Sequence, residues 1–161
     1  MRNNTRTTKQ KGFTLLEILL VVAAIGILAA IVIVAINPNR QLAKVRNSER
    51  QSEINTVLDG TYQYIIDNNG AFPSGLTGDG TVYSIKREGA SSCDATNSIA
   101  LEDELVPDYL AEIPEDPQVD DLSTTGCTGY TITRTSSDRI TVASPNTEQP
   151  PADTSELSVT R

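Results

Sequence analysis

The side chains that most often carry out chemistry in proteins are sparse in this sequence. Among its 161 residues there is no histidine, which excludes a Ser-His-Asp triad, a histidine base and a histidine-ligated zinc ion. A structural zinc site needs four cysteine or histidine ligands, and only Cys93 and Cys127 are present. Nothing in the sequence builds a cleft around a carboxylate pair of the kind that hydrolyses glycosides. We therefore expect neither an enzyme nor a protein with a cofactor.

The two cysteines are better suited to a structural role. With no other thiol to compete, the residues favour a disulfide between Cys93 and Cys127. Such a bond would contribute about 3–4 kcal/mol in the chain-entropy description and would fasten an irregular region to the predicted strands. The alternative is two free thiols in a compartment that is not oxidising. Their spacing excludes a Cys-x-x-Cys redox pair.

Acidic residues concentrate in the second half of the chain. From Glu102 to Asp121 there are nine acids and no base. Asp116, Asp120 and Asp121 follow a turn and could offer oxygen ligands to Ca²⁺. They lack EF-hand spacing, so we favour solvated carboxylates and predict no metal. The whole chain has 13 Lys and Arg against 21 Asp and Glu, a balance that disfavours direct nucleic-acid binding.

The N-terminus has a different chemistry. Residues 1–12 carry four bases and no acid, and Ile18 to Ile36 is a run of nineteen residues without a polar side chain. As a helix, residues 13–36 would be about 36 Å long, enough to cross a hydrocarbon core of about 30 Å. Four more bases follow this span, so charge counting alone leaves its orientation open; they are Arg40, Lys44, Arg46 and Arg50.

Glu17 is the one charged residue in the apolar segment. Near the lipid headgroups it could stay solvated, but deeper burial would require a positive partner. Cleavage before Phe13 would create a new ammonium group on each chain. A neighbouring chain could then supply the missing charge.

These residues resemble a known family. The segment Lys11-Gly12-Phe13-Thr14-Leu15-Leu16-Glu17-Ile18 looks like the type III signal of type IV pilins and of the related pseudopilins of type II secretion. A short basic leader ends in Gly and is followed by Phe, Thr, two Leu, Glu and a long apolar helix.

The resemblance implies a processing and assembly pathway. A prepilin peptidase would cut between Gly12 and Phe13 on the cytoplasmic side and methylate the new amine. Glu17 would contact the Phe13 amine of an adjacent subunit. The leader would lie inside the cell and the remainder outside, so the chain would be a single-pass membrane protein before assembly and an extracellular or periplasmic filament afterwards. Its partners would be membrane lipid, the inner-membrane assembly platform and copies of itself in a helical filament.

Residues 37–70 have the pattern of an amphipathic helix. Apolar residues recur at steps of three and four, while Arg50 and Glu53 belong to the predicted polar face. The apolar residues are Leu42, Val45, Ile54, Val57, Leu58, Tyr62, Ile65 and Ile66. Pro38 predicts a kink and Gly26 a second weak point. Gly70 predicts the end of the helix.

Residues 71–143 are predicted to form a small head. Residues 81–85 are a candidate strand and 101–110 a short helix, while 130–134 and 139–143 alternate as in an antiparallel hairpin. Tyr130, Ile132, Ile140 and Val142 would face the helix. Residues 144–161, rich in Pro and small polar residues, are predicted to be a mobile tail.

The segment from Leu110 to Pro117, with its Pro-x-Asp-Pro turn, also resembles pilin-like heads. The resemblance implies an α+β, pilin-like fold: one long N-terminal helix, its first half transmembrane, packed on a small antiparallel sheet. The function implied is a pilin that polymerises into a filament. Alternatives are a pseudopilin of a type II secretion or DNA-uptake machine, a monomeric membrane-anchored binding domain, and a secreted soluble domain.

Overall fold

A computed structural model describes residues 12–90, 93, 95–119, 126–148 and 156–161. The chain divides into two compact units, Met1–Gln41 and Leu42–Arg161. Helical structure extends from Leu15 to Asp67 with an interruption at Asn37. Together with a five-stranded sheet, this confirms the predicted α+β fold of a long N-terminal helix and a small sheet.

The first helix, α1, comprises Leu15–Ile36. Thr14, in an extended conformation, precedes it as the N-cap, and Asn37 ends it with φ 47° in the left-handed region. Asn tolerates that region better than most residues with a side chain. Every residue of α1 is exposed, and the only charged one is Glu17. The helix therefore has no core of its own within this unit.

The second helix, α2, comprises Pro38–Asp67 and buries one face from Ala43 onward. Its end follows the prediction: Gly70 has φ 88°, and its N–H donates to the carbonyl of Ile65 at 2.7 Å. A glycine in the left-handed region after the last turn is a common helix stop.

The residues of the head that the structure describes form one short helix and five strands. The helix, α3, is Glu102–Leu105 and lies within residues 101–110, where a short helix was predicted. The strands are β1 Val82–Lys86, β2 Ser98–Ile99, β3 Cys127–Arg134, β4 Ile140–Ser144 and β5 Leu157–Thr160, in the sheet order β2-β1-β3-β4-β5. The predicted hairpin is β3 and β4, paired with Thr133 opposite Thr141. The sheet is mostly antiparallel, as predicted, and β2, which was not predicted, pairs with β1 in parallel.

A single hydrophobic core joins α2 to the sheet. Ile54, Val57 and Leu58 of α2 are fully buried against the side chains that were predicted to face the helix. Those are Tyr130, Ile132, Ile140 and Val142, each at most 1% exposed. Strand alternation therefore predicted the inner face of the hairpin correctly.

Two expectations need correction. The predicted mobile tail at residues 144–161 contains a strand, because β5 pairs with β4 and its Leu157 and Val159 pack on the core, while residues 149–155 lie outside the described part of the chain. On α2, Arg50 lies on the buried face with no exposed surface, whereas Leu42 and Val45 are 54% and 63% exposed. A buried ion partner for Arg50 is the physical reason, and periodicity in the sequence does not reveal it.

Candidate assembly site

The start of α1 is fixed by its own residues. The backbone N–H of Glu17 donates to Oγ1 of Thr14 at 3.2 Å, which satisfies one of the free donors at the helix N-terminus. A Thr followed three residues later by Glu is the spacing of a capping box, a signal in the sequence that the prediction did not use. Gly12 and Phe13 lie just before this cap, outside the helix, and Phe13 is 80% exposed. The bond between them is thus placed in open chain, as a protease requires.

The surface of α1 is apolar all round. Its large side chains include Leu15 at 87% and Val34 at 82% exposure, and none of its residues is buried. Its length and hydropathy suffice to cross a membrane. A helix that is apolar on every side requires an apolar environment from outside itself, either lipid or other helices. Within the described residues, no cation lies at ion-pairing distance from the Glu17 carboxylate.

The junction of the two helices is built by Asn37 and Pro38. The Oδ1 of Asn37 accepts from the N–H of Arg40 at 3.3 Å, so this residue also caps α2. Pro38 takes the first position of α2, where a missing N–H is tolerated. α1 continues through Gly26 without interruption. The predicted kinks at Pro38 and Gly26 stay predictions about the assembled helix.

A disulfide joins Cys93 to Cys127, whose Cα atoms are 5.0 Å apart. Cys127 is the first residue of β3, and both cysteines are largely buried. The bond closes a loop with a sequence separation of 34 residues. It fastens the segment before β2 to the central strand of the sheet.

The head also contains a buried ion pair that the sequence did not reveal. Nε and Nη2 of Arg50 donate to the two carboxylate oxygens of Asp116 at 2.8 and 3.0 Å. Neither side chain has exposed surface. Nη1 of Arg50 donates to Oδ1 of Asn47 at 2.9 Å, and Nη2 also reaches Oε1 of Gln118 at 3.0 Å. The guanidinium is thus held by several acceptors, as a buried charge requires.

A second carboxylate extends this cluster to the segment after β4. Glu148 accepts from Arg46 and, at 3.3 Å, from Nη1 of Arg50. Burial lowers the pKa of Arg50, but the bonds and charges of Asp116 and Glu148 outweigh this and raise the pKa above its usual value. The hydrogen bond from Arg46 lowers the pKa of Glu148. Arg50 and Glu148 are therefore both charged at neutral pH.

The same contacts bear on the calcium alternative. Both oxygens of Asp116 accept from Arg50, and Oδ1 also accepts from the N–H of Gln118 at 2.8 Å. Asp120 and Asp121 lie outside the described residues. Among the residues that are described, no three metal-ligating side chains come together. Asp116 is thus engaged in an ion pair with Arg50.

Comparison with known proteins identifies the N-terminal segment. The family model described as the prokaryotic N-terminal methylation motif matches residues 7–33, which include Gly12, Phe13 and Glu17. No curated protein and no solved structure matches the chain. Residues 7–33 thus contain the type IV prepilin or pseudopilin signal, which supports a pilin-type or pseudopilin-type subunit.

Proposed function

We propose that this chain is a structural subunit that polymerises through α1 into a type IV pilus-like filament. One observation carries the proposal: α1 is apolar on every side and exposes all of its residues, while the head has a closed core of its own. The methylation motif over residues 7–33 supports the processing that precedes assembly. In this proposal a prepilin peptidase cuts between Gly12 and Phe13 and methylates the Phe13 amine.

The proposed mechanism is an exchange of apolar surroundings. In the precursor, lipid covers α1; at the inner-membrane assembly platform the α1 helices of many copies pack against one another instead. The heads form the outer surface of the filament and need no cofactor or catalysis. A pseudopilin of a type II secretion or DNA-uptake machine carries the same signal, so the length and location of the filament separate these two functions.

Glu17 gives the assembly its register. Its carboxylate has no cation nearby among the described residues, and an unpaired charge in a packed helical core is strongly destabilising. The methylated ammonium of Phe13 on an adjacent subunit would supply the partner. Only subunits in the correct register would then satisfy the charge.

The test is the amount of filament formed by Glu17→Val in the host, with Glu49→Val as the matched control on the exposed surface of α2. We expect Glu17→Val to be processed normally but to give little filament in the sheared fraction, and Glu49→Val to assemble normally. Normal assembly of Glu17→Val would contradict the proposal. An uncleaved leader together with tolerance of Glu17→Ala would favour a membrane-anchored monomer, and a mature chain starting near Asn37 would favour a secreted domain.

A further inference from the structure

The four bases at the start of α2 fall into two pairs. Arg46 and Arg50 are ion-paired with carboxylates of the head, Glu148 and Asp116. Arg40 and Lys44 are exposed, and no carboxylate of the described residues pairs with either. The carboxylates of the head therefore pair with Arg46 and Arg50, and they leave Arg40 and Lys44, which are nearer to α1, free to bind another anion.

The two available bases are close to the end of the apolar helix along the chain. Arg40 follows Ile36 by four residues, so it can lie at most about 15 Å from it even in a fully extended chain. Lys44 is one helical turn further on, about 6 Å along α2. Residues four apart in a helix lie on the same side, so the two cations are neighbours.

Apolar side chains are exposed beside these bases. Leu42 is 54% exposed and Val45 63%, although both were predicted to lie on a buried face. A helical turn that presents both cations and apolar side chains suits the boundary between lipid headgroups and water. Lys and Arg can reach phosphate there while their methylene stems stay in apolar surroundings.

We propose that Arg40 and Lys44 bind the phosphate groups of anionic lipids at the outer face of the membrane while the chain is a precursor. The inference rests on the membrane stage of the proposed function. Near an anionic surface each base contributes about a fivefold preference. The pair would concentrate precursors in regions of anionic lipid, and extraction into a filament would have to break both contacts.

The experiment uses the full chain in two kinds of vesicle, pure phosphatidylcholine and a mixture with about one third phosphatidylglycerol. Amide hydrogen exchange is followed over residues 38–48. We expect exchange about fivefold slower or more in the anionic vesicles, because opening this turn detaches the bases. High salt should remove the difference.

Two double variants decide the assignment. Arg40→Gln/Lys44→Gln should abolish the difference between the vesicles. Lys86→Gln/Arg139→Gln, which removes the same charge from two bases of the head, should leave it intact. Equal exchange of the unaltered chain in both vesicles would overturn the inference, as would protection that follows protein concentration, which would assign the bases to a second copy of the chain.

A carbonate wash separates this inference from the function on which it rests. If the chain stays in both kinds of vesicle after the wash but its amide exchange is the same in both, only the headgroup contact is refuted. A chain that is washed out of both refutes the membrane stage and the headgroup contact together.

Discussion

The helices α1 and α2 differ in what covers their apolar surfaces. α1 has 22 residues, none of them buried, whereas α2 places one face in the core of the head. α2 thus has its partners within the same chain. α1 has no such partners among the described residues, and in the proposed function lipid or other copies of the chain supply them.

The same contrast holds for the charged groups of the two helices. Arg50 is fully buried on α2, but Asp116 of the same chain holds it with two hydrogen bonds. Glu17 on α1 has no such partner among the described residues. The buried charge of α2 therefore has its partner in the same chain, whereas in the proposed filament a neighbouring subunit would supply the partner of Glu17.

The largest effect on stability is expected from a substitution that leaves the head with an unpaired buried charge. Arg50→Met leaves Asp116 buried without its cation, and we expect a loss of about 3–5 kcal/mol in the free energy of unfolding. Urea unfolding of the detergent-solubilised protein measures it. The double variant Arg50→Met/Asp116→Leu is the control, because two apolar residues replace the pair and most of the stability should return. A single variant as stable as the parent would show that the ion pair is dispensable.

Removing the disulfide should weaken the head nearly as much. Cys93→Ala/Cys127→Ala releases a loop of 34 residues, and the chain-entropy description gives a loss of about 3–4 kcal/mol. The measurement is the midpoint of urea unfolding with and without reductant. The double variant should match the reduced parent and be insensitive to reductant. A loss well below about 1 kcal/mol would show that packing alone holds Cys93 beside β3.

Two glycines, one on each helix, differ in the space around them, so substituting each by alanine compares the surroundings of the two helices. A Cβ added at Gly60 would lie 2.8 and 2.9 Å from two carbons of Leu110, whereas one added at Gly26 would have nothing within 4 Å. Gly60→Ala should therefore destabilise the head by about 1–2 kcal/mol, the cost of overpacking less the gain in helix propensity. Gly26→Ala should leave the unfolding of the head unchanged in detergent. Equal effects of the two substitutions would contradict the different surroundings of the two helices.

The weakest effect that we expect is a dependence of the stability of the head on pH, caused by Glu53. Glu53 of α2 is half-buried and accepts a hydrogen bond from the hydroxyl of Tyr130. Burial raises the pKa of Glu53 above its usual 4.5, with help from the charges of Glu49 and Asp116. The folded state then holds this proton more tightly than the unfolded state, so its contribution to stability falls as pH rises above 4.5.

Glu53→Gln tests that sign, because a glutamine can still accept from Tyr130 but does not ionise. We expect the variant to be more stable than the parent at neutral pH by a few tenths of a kcal/mol, about the size of a surface effect. Below pH 4.5 the two should converge. Glu156→Gln, at an exposed position, is the control. A variant that is less stable than its parent at neutral pH would reverse the assignment.

Local patterns in the sequence were sufficient for much of the fold. The alternation of Tyr130, Ile132, Ile140 and Val142 predicted the hairpin and its inner face, and the unbroken apolar run predicted α1. Gly70 predicted the end of α2 because a left-handed residue commonly follows a last turn. Each of these features is decided by neighbours in the sequence.

The features that the sequence did not reveal depend on distant partners. Arg50 and Asp116 are 66 residues apart, and nothing local distinguishes Arg50 from the exposed Lys44. β5 alternates Leu157 and Val159 with polar residues, whereas the predicted tail rested on the prolines and small polar residues of residues 144–161. Long-range pairing buries the Arg50–Asp116 ion pair and holds Leu157 and Val159, partly buried, against the core.

In the proposed function the mature subunit begins at Phe13, just before α1, and polymerises through this helix. Intact mass and N-terminal sequencing of the protein from its own host test it most directly. We predict a chain that begins at Phe13 and carries one additional methyl group on its amine. A chain that still begins at Met1, or one cut near Asn37, would contradict the account.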